Sequence, residues 1–271
     1  MRALDIEVGP LAIRFLFDNA LLSDLAKAEL AHLVSPPCSD PKLLRVALDP
    51  RWPDRGEARI DFAAHREAAF DGRASAPVRV RAALETVAGF DDERLGIVQG
   101  ALRDILRFAI ETWLPAAGGF SLHAASVVYR SRGILVYGDS GAGKSTFASL
   151  AGQAFSDEWS IVFRRTDGWY LSSTGFIKRF VGTQLRGKHP VHLALTPSKN
   201  GPLAIGRLSQ SEAVAGLLRQ CDHIERTVEM TARQLQRVSE FAAEIPAVRF
   251  CYAPRSSSLD WLIHEIEQLG W

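Results

Sequence analysis

The stretch GDSGAGKST, residues 138–146, restricts this chain more than any other part of it. From Gly138 to Ser145 it satisfies GxxxxGK[ST] at every fixed position. Gly138, Gly141 and Gly143 permit positive φ and a close backbone approach, so the N–H groups from Ser140 through Ala142 to Lys144 can converge on phosphate oxygens. A helix that begins there adds its positive end. Lys144 is then placed to bridge β- and γ-phosphates, and the Ser145 hydroxyl to take one position on Mg²⁺, with Thr146 completing the binding stretch. The context agrees with the motif, because the apolar run ILVY precedes it and the helical run KSTFASLAG follows.

Composition leaves phosphate recognition to a local site. With 47% hydrophobic residues, 23% charged and a formal charge of +1, the chain has no global field to attract nucleic acid or an anionic membrane. Its three cysteines, Cys38, Cys221 and Cys251, show neither CxxC nor metal-ligand spacing, and read as buried free thiols in a reducing compartment. No signal-peptide pattern or membrane-length apolar run is present, so a cytoplasmic protein is expected.

Two parts are predicted. Residues 3–17 alternate around Gly9-Pro10 as two strands, and 21–34 has the spacing of a short amphipathic helix. Weak strands at 43–48 and 58–64 and an exposed loop at 68–79 follow, in a stretch, 36–90, whose signals are mixed. A long helix over 92–114, with Val98, Leu102, Ile105, Ala109 and Trp113 in one stripe, ends at Pro115 and Gly118-Gly119. This gives an N-terminal α+β module at 1–115 and a second domain at 116–271. In the second, SLHAASVVY, RSRG and ILVYG read as a hairpin running into the phosphate loop. Helices are predicted at 209–220, opening on a Ser209–Glu212 capping box, at 225–245 and at 257–269.

The acidic pair Asp157-Glu158 comes only eleven residues after Thr146. That gap fits one short helix and a tight turn, which puts the pair at the start of a strand, EWSIVF, close to Lys144. A carboxylate there can take the proton of an attacking hydroxyl or hold Mg²⁺; a solvated surface turn is the plainer alternative. With a turn centred near Ser131-Arg132, His123 pairs with residues 139 and 140, where it can orient a carboxylate or donate to a phosphate oxygen. The wider form GxSGxGKST also occurs in transporter-type ATPases. Their acidic pair, however, lies about a hundred residues further on behind an LSGGQ-type signature, and the nearest approach here is LSQSE at 208–212.

HAASVV at 123–128, GDSGAGKST fifteen residues after the histidine, and SDEW at 156–159 together resemble the catalytic domain of the HPr kinase/phosphorylase family. That set includes the related kinases of peptide-modifying clusters, such as lasso-peptide kinases. The resemblance is specific over 120–162 and extends as pattern to about 265, through PLAIGRLSQSEAVAGLL and PAVRFCYAP. It implies an α/β fold with a mixed, largely antiparallel sheet carrying a P-loop, akin to phosphoenolpyruvate carboxykinase. It also implies Asp157 as general base with His123 in catalysis, and Glu158 supporting them or, with Ser145, the metal. Two features depart from the family. The signature E-I-R-G-hydrophobic-G is replaced by FIKRFVGTQLRGKHP, which argues against HPr itself as substrate, and the first 115 residues do not match the separate N-terminal domain of bifunctional HPr kinases.

The resulting expectation is an enzyme using ATP and Mg²⁺ to phosphorylate a hydroxyl, foremost a serine of a peptide or small protein, with neither nucleic acid nor membrane as partner and with homo-oligomers left open. A small-molecule hydroxyl kinase and a non-catalytic nucleotide sensor are the alternatives. The basic stretch Lys178, Arg179, Arg186, Lys188, His189 reads either as a clamp for phosphates or an acidic tail, or as a solvated loop.

Overall fold

The structure is a computed structural model and describes residues 2–17, 20–39, 41–48, 58–65, 78–82, 106–107, 109–175, 177–199, 201–221, 228–268 and 270. The chain divides into two units, Met1–Trp113 and Leu114–Trp271.

In the first unit β1 (Arg2–Val8) and β2 (Leu11–Phe17) form the expected hairpin, closing Val8 against Leu11 around Gly9 at φ 59°. Alternation decides its faces. Leu4, Ile6, Val8, Leu11, Ile13, Phe15 and Phe17 are buried, while Arg14 and Asp5, directly opposite each other, pair at 2.7 Å. α1 (Ala20–Glu29) follows, and β3 (Lys42–Leu48), β4 (Ala58–His65) and β5 (Val78–Ala82) complete a sheet of order β1-β2-β3-β4-β5. The predicted loop at 68–79 is corrected at its end, since Val78 and Arg79 open β5; its remainder lies outside the described residues. Of the predicted helix at 92–114, residues 106–107 and 109–113 are described and helical, with Ala109 and Trp113 buried, whereas Val98, Leu102 and Ile105 fall outside.

The second unit is a mixed sheet, largely antiparallel, with helices on both faces. Its strands are β6 (Gly119–Leu122), β7 (Ala124–Tyr129), β8 (Arg132–Tyr137), β9 (Gln153–Ser156), β10 (Ser160–Arg165), β11 (Gly168–Ser172), β12 (Thr183–Gln184), β13 (Lys188–Lys199), β14 (Ala204–Arg207) and β15 (Ala247–Tyr252). The order is β12-β9-β7-β8-β13-β11-β10-β6, with β15 also beside β13 and β14 beside β15. β13 is parallel to β8 and β15, and β12 is parallel to β9.

ILVY is uniformly apolar because both sides of its strand are covered. Leu135 and Tyr137 point into a core with Phe120, Trp169, Leu217, Val238 and Phe241. Ile134 and Val136 point the other way, to Phe147, Phe250, Leu259 and Ile263. The first face carries α3 (Gln210–Gln220) and α4 (Val228–Glu244), the second α2 (Lys144–Ala151) and α5 (Ser256–Gln268). The capping box at Ser209 and Glu212 is formed in both directions, and α4 begins at Val228, with 225–227 outside the described residues.

At the start of β8 a side chain is excluded by backbone. A Cβ on Gly133 would stand 2.1 Å from the Pro190 carbonyl oxygen. Gly133→Ala is therefore expected to cost about 1–3 kcal/mol, read as an earlier denaturant midpoint with an unchanged slope.

Among the described residues no helix is long and apolar enough to cross a membrane. The cysteines are free, but only Cys221 is buried; Cys38 and Cys251 are half-buried, which corrects the expectation of three buried thiols.

Candidate functional site

The loop between β8 and α2 takes its shape from its glycines. Gly138, Gly141 and Gly143 have φ of 141°, 83° and 116°, values that L side chains rarely adopt. A turn closes within it, Ala142 N–H to the Asp139 carbonyl at 3.1 Å, and Gly143 is the N-cap of α2. The first-turn amides of α2 therefore face the mouth of the loop. Lys144 is buried, and its ammonium donates to the carbonyls of Gly138 at 2.6 Å and Asp139 at 3.2 Å. Burial pulls its pKa below the ordinary lysine value, while Asp139 and Glu158 act in the opposite sense.

Beneath the loop, the Tyr252 hydroxyl donates to the Gly143 carbonyl at 3.4 Å, and the ring packs edge-on to Phe147. Burial pushes this phenol up to about 12 from an ordinary 10.0. A raised folded-state value means that stability is whole below the unfolded pKa and is lost as pH rises through the folded one. Over the pH range bounded by those two values, the melting temperature of the wild type is expected to fall more steeply than that of Tyr252→Phe.

The acidic pair reaches the same place by a different local route from the one expected. The gap holds more than a helix and a turn: Gly152 at φ 75° ends α2, and residues 153–156 form β9. The pair sits in the bend between β9 and β10, and the strand after it begins at Ser160 rather than Glu158. Ser156 builds that bend, its hydroxyl oxygen accepting the N–H groups of Glu158 at 3.2 Å and Trp159 at 2.9 Å. Asp157 is 2% exposed, and its two oxygens accept the backbone N–H groups of Lys178 at 2.7 Å and Arg179 at 2.9 Å. Glu158 pairs instead with the Lys178 ammonium, at 3.1 Å.

His123 falls one residue away from its expected register. Arg130 (φ 47°) and Ser131 (φ 61°) form the hairpin turn and Ala124 stands opposite Tyr137, so the ladder extended by one residue sets His123 against Gly138. The turn lies one residue earlier than expected, on Arg130-Ser131, and that shift resets the register of the hairpin. The His123 N–H donates to the Gln220 carbonyl at the end of α3, at 2.7 Å.

These pieces share one cavity of about 470 Å³, lined by His123, Ser140, Gly141, Gly143, Lys144, Ser145, Thr146, Asp157 and Glu158, together with Ser149, Lys178 and Arg179. Of the residues expected in the site, Gly138 and Ala142 are not among its lining; they shape the loop from behind. Of the basic stretch, Lys178 and Arg179 reach the cavity and Arg186, Lys188 and His189 do not. Ser149 went unnoticed in the sequence, although its place four residues after Ser145 on α2 puts both on one helix face. The docking of 178–179 onto Asp157 is a tertiary contact across some twenty residues and has no sequence signal.

The cavity can hold an anion beside a lysine and helix amides, and two carboxylates and a histidine also line it. No protein-family model matches the chain, and no curated protein matches it. A solved structure, that of the Hpr(Ser) kinase/phosphatase from Coxiella burnetii, is similar at 12% sequence identity over 55% of this chain and 97% of the other, with a TM-score of 0.29. A superposition that loose lends no weight to a function.

Proposed function

We propose that this protein is a phosphotransferase that moves the γ-phosphoryl group of ATP to a hydroxyl, with a serine of a peptide or small protein as acceptor. One observation carries the reading. A glycine-shaped loop with a buried lysine opens on the same cavity as a buried aspartate that comes from the bend between β9 and β10. Phosphoryl transfer asks mainly for such placement and for charge stabilisation.

In this reading the amides of Ser140 to Lys144 cradle the phosphates and Lys144 leaves its loop carbonyls for the β- and γ-oxygens. The acceptor oxygen forms its bond to Pγ as the bond from Pγ to the β-bridging oxygen breaks. Asp157 takes the hydroxyl proton and ADP leaves. Two of the roughly four lone-pair directions of Asp157 are used by the amides of Lys178 and Arg179, so an oxygen remains able to accept it. His123 orients that carboxylate or donates to a phosphate oxygen.

The donors also suit Mg²⁺. Ser145 and Glu158 offer hard oxygens on one cavity, and among the described residues no cluster of three or more histidine, cysteine or acidic side chains could cage a metal alone. Mg²⁺ normally takes one or two protein oxygens and completes its shell with phosphates and water, and bound there it would neutralise triphosphate charge. Glu158 would then exchange its Lys178 partner for the metal.

The test is incubation with γ-labelled ATP and, separately, serine-containing peptides and pools of hydroxylated metabolites. Label on peptide supports the reading. Label confined to a metabolite favours a small-molecule kinase, and nucleotide binding without transfer to any acceptor favours a sensor.

A further inference from the structure

The segment that Asp157 holds beside the cavity leads directly into the open end of the sheet. β12 closes the strand order on that side and pairs only with β9 among the described residues. Thr183 N–H donates to the Gly152 carbonyl at 2.9 Å and Leu185 N–H to the Ala154 carbonyl at 2.7 Å. In a parallel ladder the N–H and C=O of one residue point to the same side and successive residues alternate. Gln184 therefore turns its N–H and C=O away from β9, as Gly182 does its C=O, and residues 181–184 and 186–188 are exposed. Val181 stands there 76% exposed. An edge with unpaired donors and acceptors is a template for another strand.

Charge says which strand. Between Asp167 and Glu212 the chain has no acidic residue, and Arg179 and Arg186 flank β12, while Lys178 pairs with Glu158 and Lys188 belongs to β13, beside β11, with its ammonium over the Phe163 ring. The side chains of Arg179 and Arg186 make no ion pair among the described residues. A second copy of this edge would meet like charge, whereas an acidic chain would be drawn to it. The strip is also tied to the cavity. Asp157 fixes the backbone at 178 and 179, and Val181 N–H donates to Ser149 Oγ, itself on the cavity wall, at 3.2 Å. From Arg179 to Thr183 four residue steps span at most about 14 Å.

We propose that the edge from Gly182 to Gln184, flanked by Arg179 and Arg186, is the docking strip for the acceptor: an extended acidic peptide adds as a strand beyond β12, and its hydroxyl residue enters the cavity about four residues further along. This rests on the phosphotransferase reading above, and it supplies the extended surface that a peptide acceptor needs. Backbone pairing gives affinity and the cations give selectivity, as in other cases of strand addition.

The test uses fluorescent glutamate- and valine-rich peptides, each with one serine, and lysine-for-glutamate counterparts. The acidic set is expected to bind at least about tenfold more tightly. Gln184→Pro deletes an outward donor and leaves the Thr183 and Leu185 bonds to β9, a position where an edge strand tolerates proline. It is expected to weaken peptide binding about tenfold or more. Should Gln184→Pro lower the melting temperature, the wild type is tested with the best peptide N-methylated at alternate amides. One register of methylation is then expected to abolish binding and the other to preserve it. Equal binding of acidic and basic peptides, or indifference to both the proline and the methylations, overturns the proposal. Mg-ATP binding by the wild type is measured alongside: its presence without peptide pairing sinks only the docking strip, and its absence sinks the phosphotransferase reading itself.

Discussion

Asp157→Asn is expected to reduce phosphoryl transfer about 10³-fold, roughly 4 kcal/mol of barrier, while the protein still binds nucleotide. An amide of the same size cannot take the acceptor's proton. The structure adds a second consequence. Both Asp157 oxygens accept backbone N–H groups, from Lys178 and Arg179, and an asparagine can offer only one oxygen to the two. One of these amides will face an NH₂ group, so a stability loss of about 1–3 kcal/mol should accompany the lost rate. Glu158→Gln separates the two acids, because among the described residues the Glu158 carboxylate pairs with the exposed Lys178 ammonium alone. It should leave the fold unchanged and act through the metal requirement, raising the Mg²⁺ concentration needed for activity. If Glu158→Gln abolished turnover while Asp157→Asn stayed near wild type, the base would be Glu158.

The second large effect is expected at Lys144. Mg-ATP at about 100 times its dissociation constant should stabilise the wild type by roughly 2.7 kcal/mol, and Lys144→Ala should remove most of that shift. The ammonium is buried against two loop carbonyls, at 2.6 and 3.2 Å, and so is already at the mouth where phosphates would arrive. Lys144→Met, which keeps most of the volume without the charge, should lose the shift as well. A thermal melt with and without Mg-ATP reads both variants; equal shifts in wild type and mutants would remove the phosphate-binding role from this loop.

Local chemistry was legible in the sequence, and tertiary pairing was not. The spacing of Gly138, Gly141 and Gly143 forecast positive φ because only that backbone suits such a loop, and the three glycines adopt it. The capping box at Ser209 and Glu212 and the hairpin around Gly9 were readable for the same reason, since each is completed within a few residues. The hairpin of β7 and β8 was readable as well, but its register was not: one residue's error in the turn moved His123 from residues 139 and 140 to Gly138. The gap between Thr146 and Asp157 reads as a short helix and a tight turn, yet tertiary pairing with β7 and β12 makes 153–156 the strand β9. Nothing in FIKRFVGTQLRGKHP announces that its backbone amides at 178 and 179 close on Asp157, because that contact is made by main chain and leaves no side-chain signature. The cavity was thus foreseeable on its loop side and half foreseeable on its acidic side.

Phosphorus NMR of the protein mixed with Mg-ATP and a pool of acidic serine peptides reads phosphoryl transfer directly. The γ-phosphorus signal of ATP is expected to decay as a phosphoserine monoester signal grows, with ADP formed in equal amount, and Asp157→Asn to slow both by about 10³-fold. Unchanged ATP, or ADP accompanied only by inorganic phosphate, would contradict the proposed transfer.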